Sequence, residues 1–181
     1  MFINPEEIIN NFEVRPGMVV ADFGSGVGRY VLAIAKKMKG FGLPVGQAGV
    51  VYAVDIQKNL LESVKLNAEK EHLTNIVDII WADIEGKDGV KLATGTIDLV
   101  IASNILFQVK SKESLAKEIH RVLKVDGRTA VMDWSVGGTG LTQKSFVPKK
   151  EVERIFIENG FLRVKEFPAG DSHYGIIFKK T

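Results

Sequence analysis

The chain has 181 residues, 45% of them hydrophobic and 25% charged, with a formal net charge of +2 and no cysteine. That length suits one compact core able to bury roughly 70% of the unfolded surface, and the lack of cysteine excludes disulfides, thiolate metal sites and attack through sulfur. The charge is far from the concentrated basic stripe of a nucleic-acid binder, no apolar stretch reaches the ~20 residues of a membrane helix, and Glu6 and Glu7 stand where a secretory signal would be basic; the expectation is a cytoplasmic protein.

Asn4-Pro5-Glu6-Glu7 reads as a helix start, with a capping side chain, proline in the first turn and acids at the positive helix end. Residues 18–23 are an apolar strand, and Val27, Tyr30, Val31, Ile34, Ala35 and Met38 recur at helical spacing up to Gly40. The glycine-rich stretch 40–49 is a loop. Strands are expected at 50–54, 76–81, 97–102 and 129–134, with helices at 59–71, 111–123 and 148–159, the last stopped by Gly160. Segments 162–167 and 174–179 are joined by too few residues for a crossover helix and must pair antiparallel. No repeat, linker or low-complexity tract divides residues 1–181, which read as a single domain. Five β–α units and a hairpin imply an open, mostly parallel α/β sheet that takes ligands beyond the carboxyl ends of its strands.

The segment DFGSGVGRY, residues 22–30, lies at such an end. A glycine turn between strand and helix exposes bare backbone to a nucleotide-like group. A phosphate-cradling loop needs Gly-x-x-x-x-Gly-Lys followed by Ser or Thr, which no stretch of the chain supplies, and the dinucleotide fingerprint fails because Arg29 stands where its third glycine belongs. What is present is Asp22, Gly24, Gly26 and Gly28 at alternate positions. A second strand ending in Asp55 offers a carboxylate able to accept from two ribose hydroxyls.

This Asp-x-Gly-x-Gly-x-Gly turn resembles the first motif of class I S-adenosylmethionine-dependent methyltransferases, and the likeness extends over nearly the whole chain. The resemblance implies a Rossmann-like sheet of seven strands in order 3-2-1-4-5-7-6, strand 7 antiparallel and helices on both faces. It also implies S-adenosylmethionine as cofactor: the turn Gly24, Ser25, Gly26 and Gly28 around it, Asp22 near its amino-acid part, Asp55 on the ribose and Ile56 on the adenine face. Asp83 would accept from the adenine amine, with the Ile84 N–H on a ring nitrogen, and Ser103 would mark the strand end facing the methyl group. Asp83 alternatively reads as a turn former.

Ser103-Asn104-Ile105-Leu106 resembles small-molecule methyltransferases of the ubiquinone-biosynthesis type, with Phe107 and Gln108 where that pattern often carries histidines, so no general base is assigned. The three histidines have no metal-ligand spacing, and no metal is assigned. Without cysteine, the resemblance excludes pyrimidine carbon-5 and arsenite methylation. Acceptor contacts are expected from the N-terminal helix, residues 103–108 and the glycine-rich stretch 135–147, with Trp134 either stacking on an acceptor or plugging the core. A small-molecule acceptor is the leading expectation; an RNA or protein substrate at an open site, and a noncatalytic cofactor-binding subunit, are the alternatives, and the oligomeric state stays open.

Overall fold

The computed structural model describes residues 4–44, 46–87, 89–135 and 146–181. In chain order the elements are α1 (Pro5–Ile8), a 3-10 turn (Ile9–Phe12), β1 (Val19–Phe23), α2 (Arg29–Lys39), β2 (Val50–Asp55), α3 (Lys58–Lys70), β3 (Val77–Trp81), β4 (Ile97–Ser103), α4 (Lys112–Val122), β5 (Leu123–Trp134), α5 (Lys149–Glu158), β6 (Phe161–Pro168) and β7 (His173–Lys180). The side chain of Asn4 accepts the Glu6 amide at 3.1 Å, as a helix cap should.

The strands form one sheet in the order β3-β2-β1-β4-β5-β7-β6. β7 runs antiparallel to both neighbours, and the pairs from β3 through β5 are parallel. Successive strand residues point to opposite faces, so Leu99 and Ile101 enter one core while Val100 and Ala102 enter the other. α1 to α3 cover the first face with Ile8, Ile34, Met38 and Leu61; α4 and α5 cover the second with Leu115, Ile119, Ile155 and Phe156. Both faces being covered explains why β4 reads as an apolar run without alternation.

Three local expectations are corrected. Val27 is 45% exposed and precedes α2, because the left-handed turn through Gly28 delays the helix to Arg29. β5 begins at Leu123 rather than Thr129: Leu123 pairs with Ile97 and Arg128 with Leu99, so residues 124–127 form an excursion within one strand. There Asp126 takes the left-handed conformation (φ 64°), while a Cβ on Gly127 would lie 2.8 Å from the Lys124 carbonyl oxygen. Finally, the five expected β–α units carry four helices among the described residues, because β3 connects to β4 through 82–96 without one. Arg121 of α4 ties that connection down, donating to the carbonyls of Leu92 (2.9 Å) and Val90 (3.0 Å) while pairing with Glu118 (2.7 Å). Among the described residues no helix is long and apolar enough to cross a membrane.

Candidate active site

At the carboxyl end of β1 the chain reverses through Gly24, Gly26 and Gly28, all with positive φ. The turn hangs from β2: the amides of Gly24 and Ser25 both donate to the Val54 carbonyl (2.8 and 3.0 Å), and the Gly26 amide donates to Asp55 Oδ2 at 2.9 Å. Two glycines are needed for different reasons. A Cβ on Gly28 would press within 2.8 Å of Val64, so its absence lets α2 settle against α3. At Gly26 nothing lies within 4 Å of that position, so the left-handed backbone (φ 55°) faces open space.

Asp55 is 6% exposed and clamps two elements, its Oδ1 accepting the Gln57 amide at the start of α3 (2.8 Å) and its Oδ2 the Gly26 amide. A carboxylate oxygen accepts two hydrogen bonds, so each keeps one lone pair for a ligand. A cleft of about 450 Å³ opens here and gathers Gly24, Gly26, Asp55, Ile56, Asp83 and Ile84. Ile56 is 57% exposed, and its carbonyl is fixed by the Trp81 indole N–H at 2.9 Å. Asp83 lies in the cleft and also builds a turn, Oδ1 accepting the Glu85 amide at 2.9 Å. Glu85 in turn accepts the Ser111 amide at 2.8 Å, tying the turn to the start of α4.

Asp22, Ser25, Gly28 and Ser103 are not among the residues that line this cleft. Asp22 is 2% exposed; burial, and secondarily the charge of Asp55, push its carboxyl up to about 7. The amides of Gly24, Ser25 and Gly26 go to β2 rather than to Asp22. The Ser25 hydroxyl is buried with no partner among the described residues. Ser103 lies against the Tyr30 hydroxyl of α2, which burial pushes up to about 12.

A second group assembles where β4, β5 and β7 end side by side. Asn104 takes a left-handed conformation (φ 55°); its amide donates to the Met132 carbonyl (2.9 Å), its carbonyl accepts from Gln108 Nε2 (2.6 Å), and its Oδ1 lies 2.9 Å from His173 Nε2. The His173 and Trp134 rings are 4.1 Å apart. Asp133 is fully buried, its Oδ2 accepting the Leu106 amide (3.0 Å) and its Oδ1 the Trp134 amide (2.8 Å); burial raises its carboxyl to about 6. Beside this group lies a cleft of about 700 Å³ with walls from Trp134, His173, Tyr174, Phe146, Pro148 and Phe167.

Sequence reasoning did not single out His173 or Asp133. The only available signal was positional, since an antiparallel β7 must start at the edge where the parallel strands finish. The N-terminal helix, expected at the acceptor, buries Ile8 in the core, and its extension buries Ile9 and Phe12. Most of the stretch 135–147, residues 136–145, lies outside the described residues.

The sequence profile of the family described as "Methyltransferase domain" matches residues 21–131, from β1 through β5. The chain belongs to this family. Its region from the glycine turn to the fifth strand is therefore a methyltransferase domain. The chain is 30% identical over 135 residues to the ubiquinone/menaquinone biosynthesis C-methyltransferase UbiE of Hydrogenovibrio crunogenus, covering 74% of this chain and 48% of that protein; it spans about half the length of the curated relatives it matches. Among solved structures, a SAM-dependent methyltransferase from Aquifex aeolicus superposes with a TM-score of 0.84 at 22% identity, over 99% of this chain and 91% of that one. The [4+2]-cyclase SpnF superposes with a TM-score of 0.80 at 14% identity, over 97% and 79%. These likenesses establish the fold, and SpnF illustrates that a fold and its chemistry are separable.

Proposed function

We propose that this methyltransferase domain binds S-adenosylmethionine in the 450 Å³ cleft and transfers its methyl group to a small-molecule acceptor. The single observation that carries the reading is the open left-handed backbone at Gly26, clamped to a carboxylate that keeps lone pairs on both oxygens. The residues present fit the cofactor. Asp55 suits two ribose hydroxyls, the exposed Ile56 an adenine face, and Asp83 with the Ile84 amide the adenine edge. The partnerless Ser25 hydroxyl and the Asp22 carboxyl suit a cationic amino-acid moiety.

When bound, S-adenosylmethionine supplies an electrophilic methyl on a sulfonium, whose leaving thioether requires neither metal nor covalent intermediate. The chain's part is positioning: its rigid strand ends hold the partners in line, which supplies much of the rate. The small-molecule reading is favoured by the aromatic-walled cleft at the adjoining strand ends and by the relative named as a quinone-biosynthesis enzyme.

Calorimetry with S-adenosylhomocysteine tests the binding site. Asp55→Asn keeps the size of the side chain but replaces one acceptor oxygen, and is expected to weaken binding roughly 10- to 100-fold, as for one hydrogen bond to a charged group. Unchanged affinity would refute the ribose assignment. Radiolabelled methyl transfer into extract fractions then tests the acceptor class, with label in RNA or protein rather than metabolites overturning the small-molecule reading.

A further inference from the structure

We propose that His173, held by Asn104 and set against Trp134, is the proton acceptor for a planar methyl acceptor bearing an acidic O–H, of the phenol or enol class, that binds in the aromatic cleft at the ends of β5 and β6. The inference rests on the methyltransferase reading and specifies its acceptor side.

The geometry carries it. Ser103 pairs with Met132 and Trp134 with His173, so the imidazole sits two strands from the end of β4, about 10 Å across the sheet edge at ~4.8 Å per strand. Asn104 bridges that interval from the residue after Ser103. Its left-handed φ of 55° is costly for a non-glycine residue, and three separate bonds, to Met132, Gln108 and His173, hold it there. With Asn104 Oδ1 accepting from Nε2, the lone pair of the neutral ring lies on Nδ1. Burial lowers His173 from the ordinary imidazole value, so the ring is neutral at pH 7 and Nδ1 carries a lone pair.

Among the described residues, the charged and titratable groups around it belong to α5, β5, β6 and the turn before β7. Lys149 is bound by Glu166 at 2.8 Å, and Lys150 stands on the same rim. Asp133 is committed to two amides beneath Trp134, the Tyr174 hydroxyl donates to the Val147 carbonyl at 3.0 Å, and Asp171 lies in the preceding turn. The aromatic walls suit a flat ring. In the reaction the acceptor's O–H bond breaks and its proton passes to Nδ1; the acceptor oxygen bonds to the methyl carbon as the carbon–sulfur bond breaks, and that electron pair returns to sulfur.

The test uses histidine-15N-labelled protein saturated with S-adenosylhomocysteine, with 4-nitrophenol as the probe; three histidines give three assignable imidazoles. Calorimetry on the same sample comes first, since absent S-adenosylhomocysteine binding overturns the proposed function together with this inference. With that binding intact, 4-nitrophenol added at a pH where the free probe is un-ionised is expected to convert His173 alone to imidazolium and to develop the yellow phenolate band. In His173→Gln, whose amide can still meet Asn104, the band should fall roughly tenfold, equivalent to about 1.4 kcal/mol, at unchanged S-adenosylhomocysteine affinity. Asn104→Ala should leave His173 in mixed tautomers, a change that loss of packing alone would not produce. A His173 that stays neutral, a probe that fails to bind while S-adenosylhomocysteine does, or a full phenolate band in His173→Gln overturns the assignment.

Discussion

Replacing Asp22 with asparagine should stabilise the ligand-free protein by an amount that grows with pH. In the fold this carboxyl titrates at about 7 against an ordinary 3.8, because burial, and then the nearby Asp55, disfavour its charged form. The native state therefore holds a proton that the unfolded chain releases between those two values, and stability falls as pH rises through that window. At 1.36 kcal/mol per pH unit, an interval of about three units makes ionised Asp22 cost about 4 kcal/mol above pH 7. The carboxamide introduced by Asp22→Asn cannot ionise, so the stability difference between variant and parent should climb from about pH 4 and level off above pH 7. Urea unfolding of both proteins at pH 5, 6, 7 and 8 measures it, and the raised carboxyl of Asp133 cancels because both proteins carry it. Parallel stability curves would show that Asp22 is not charged at a cost in the free protein. The same variant should bind S-adenosylhomocysteine more weakly and lose any rise of affinity through pH 7, since a cationic ligand beside Asp22 draws that carboxyl to its charged form.

Gly26→Ala should strain the turn by about 1 kcal/mol and place a methyl group in open cleft, weakening S-adenosylhomocysteine in calorimetry far more than it lowers the melting temperature; the opposite ratio would contradict a ligand-facing backbone. Asp133→Ala should free the Leu106 amide, so hydrogen exchange there should accelerate together with the neighbouring cleft residues Ile105 and Gln108. Arg121→Ala removes three bonds to the β3–β4 connection, to Val90, Leu92 and Thr94, and leaves Glu118 holding the Val90 amide alone. It should lower unfolding stability by about 2 kcal/mol, read from urea midpoints, and a neutral result would mean that the connection is held by Glu118 and the backbone of α4 without the guanidinium.

Legibility in the sequence followed the range of the interaction. Glycines at alternate positions and an acid at a strand end are local requirements, and the structure brings Gly24, Gly26, Asp55, Ile56, Asp83 and Ile84 to one cleft. The alternation of strands and helices likewise pointed to the sheet, because each element carries its own periodicity. What stayed hidden depended on partners distant in sequence. Asn104 and His173 meet across 69 positions, the Leu106 amide finds Asp133 across 27, and the early start of β5 at Leu123 is set by pairing with Ile97 rather than by any local pattern. Val27 was misplaced in the helix because its apolar character suits helical spacing, whereas the backbone sign at Gly28 decides where the helix begins.

The reversed direction of β7 has a consequence for how such a protein can change. The parallel strands bring their finishing ends to the ligand-bearing rim, and β7 brings its starting end there, preceded by the short stretch Pro168-Ala169-Gly170-Asp171-Ser172. Ala169 is buried in the core, but insertions or exchanges at Gly170, Asp171 and Ser172 would remodel the rim over Trp134 while the register of β5 with β7 further down the sheet stays as it is. Under the proposed function, selectivity for one acceptor over another would change at this corner, leaving the glycine turn after β1 and Asp55 at the tip of β2 as they are.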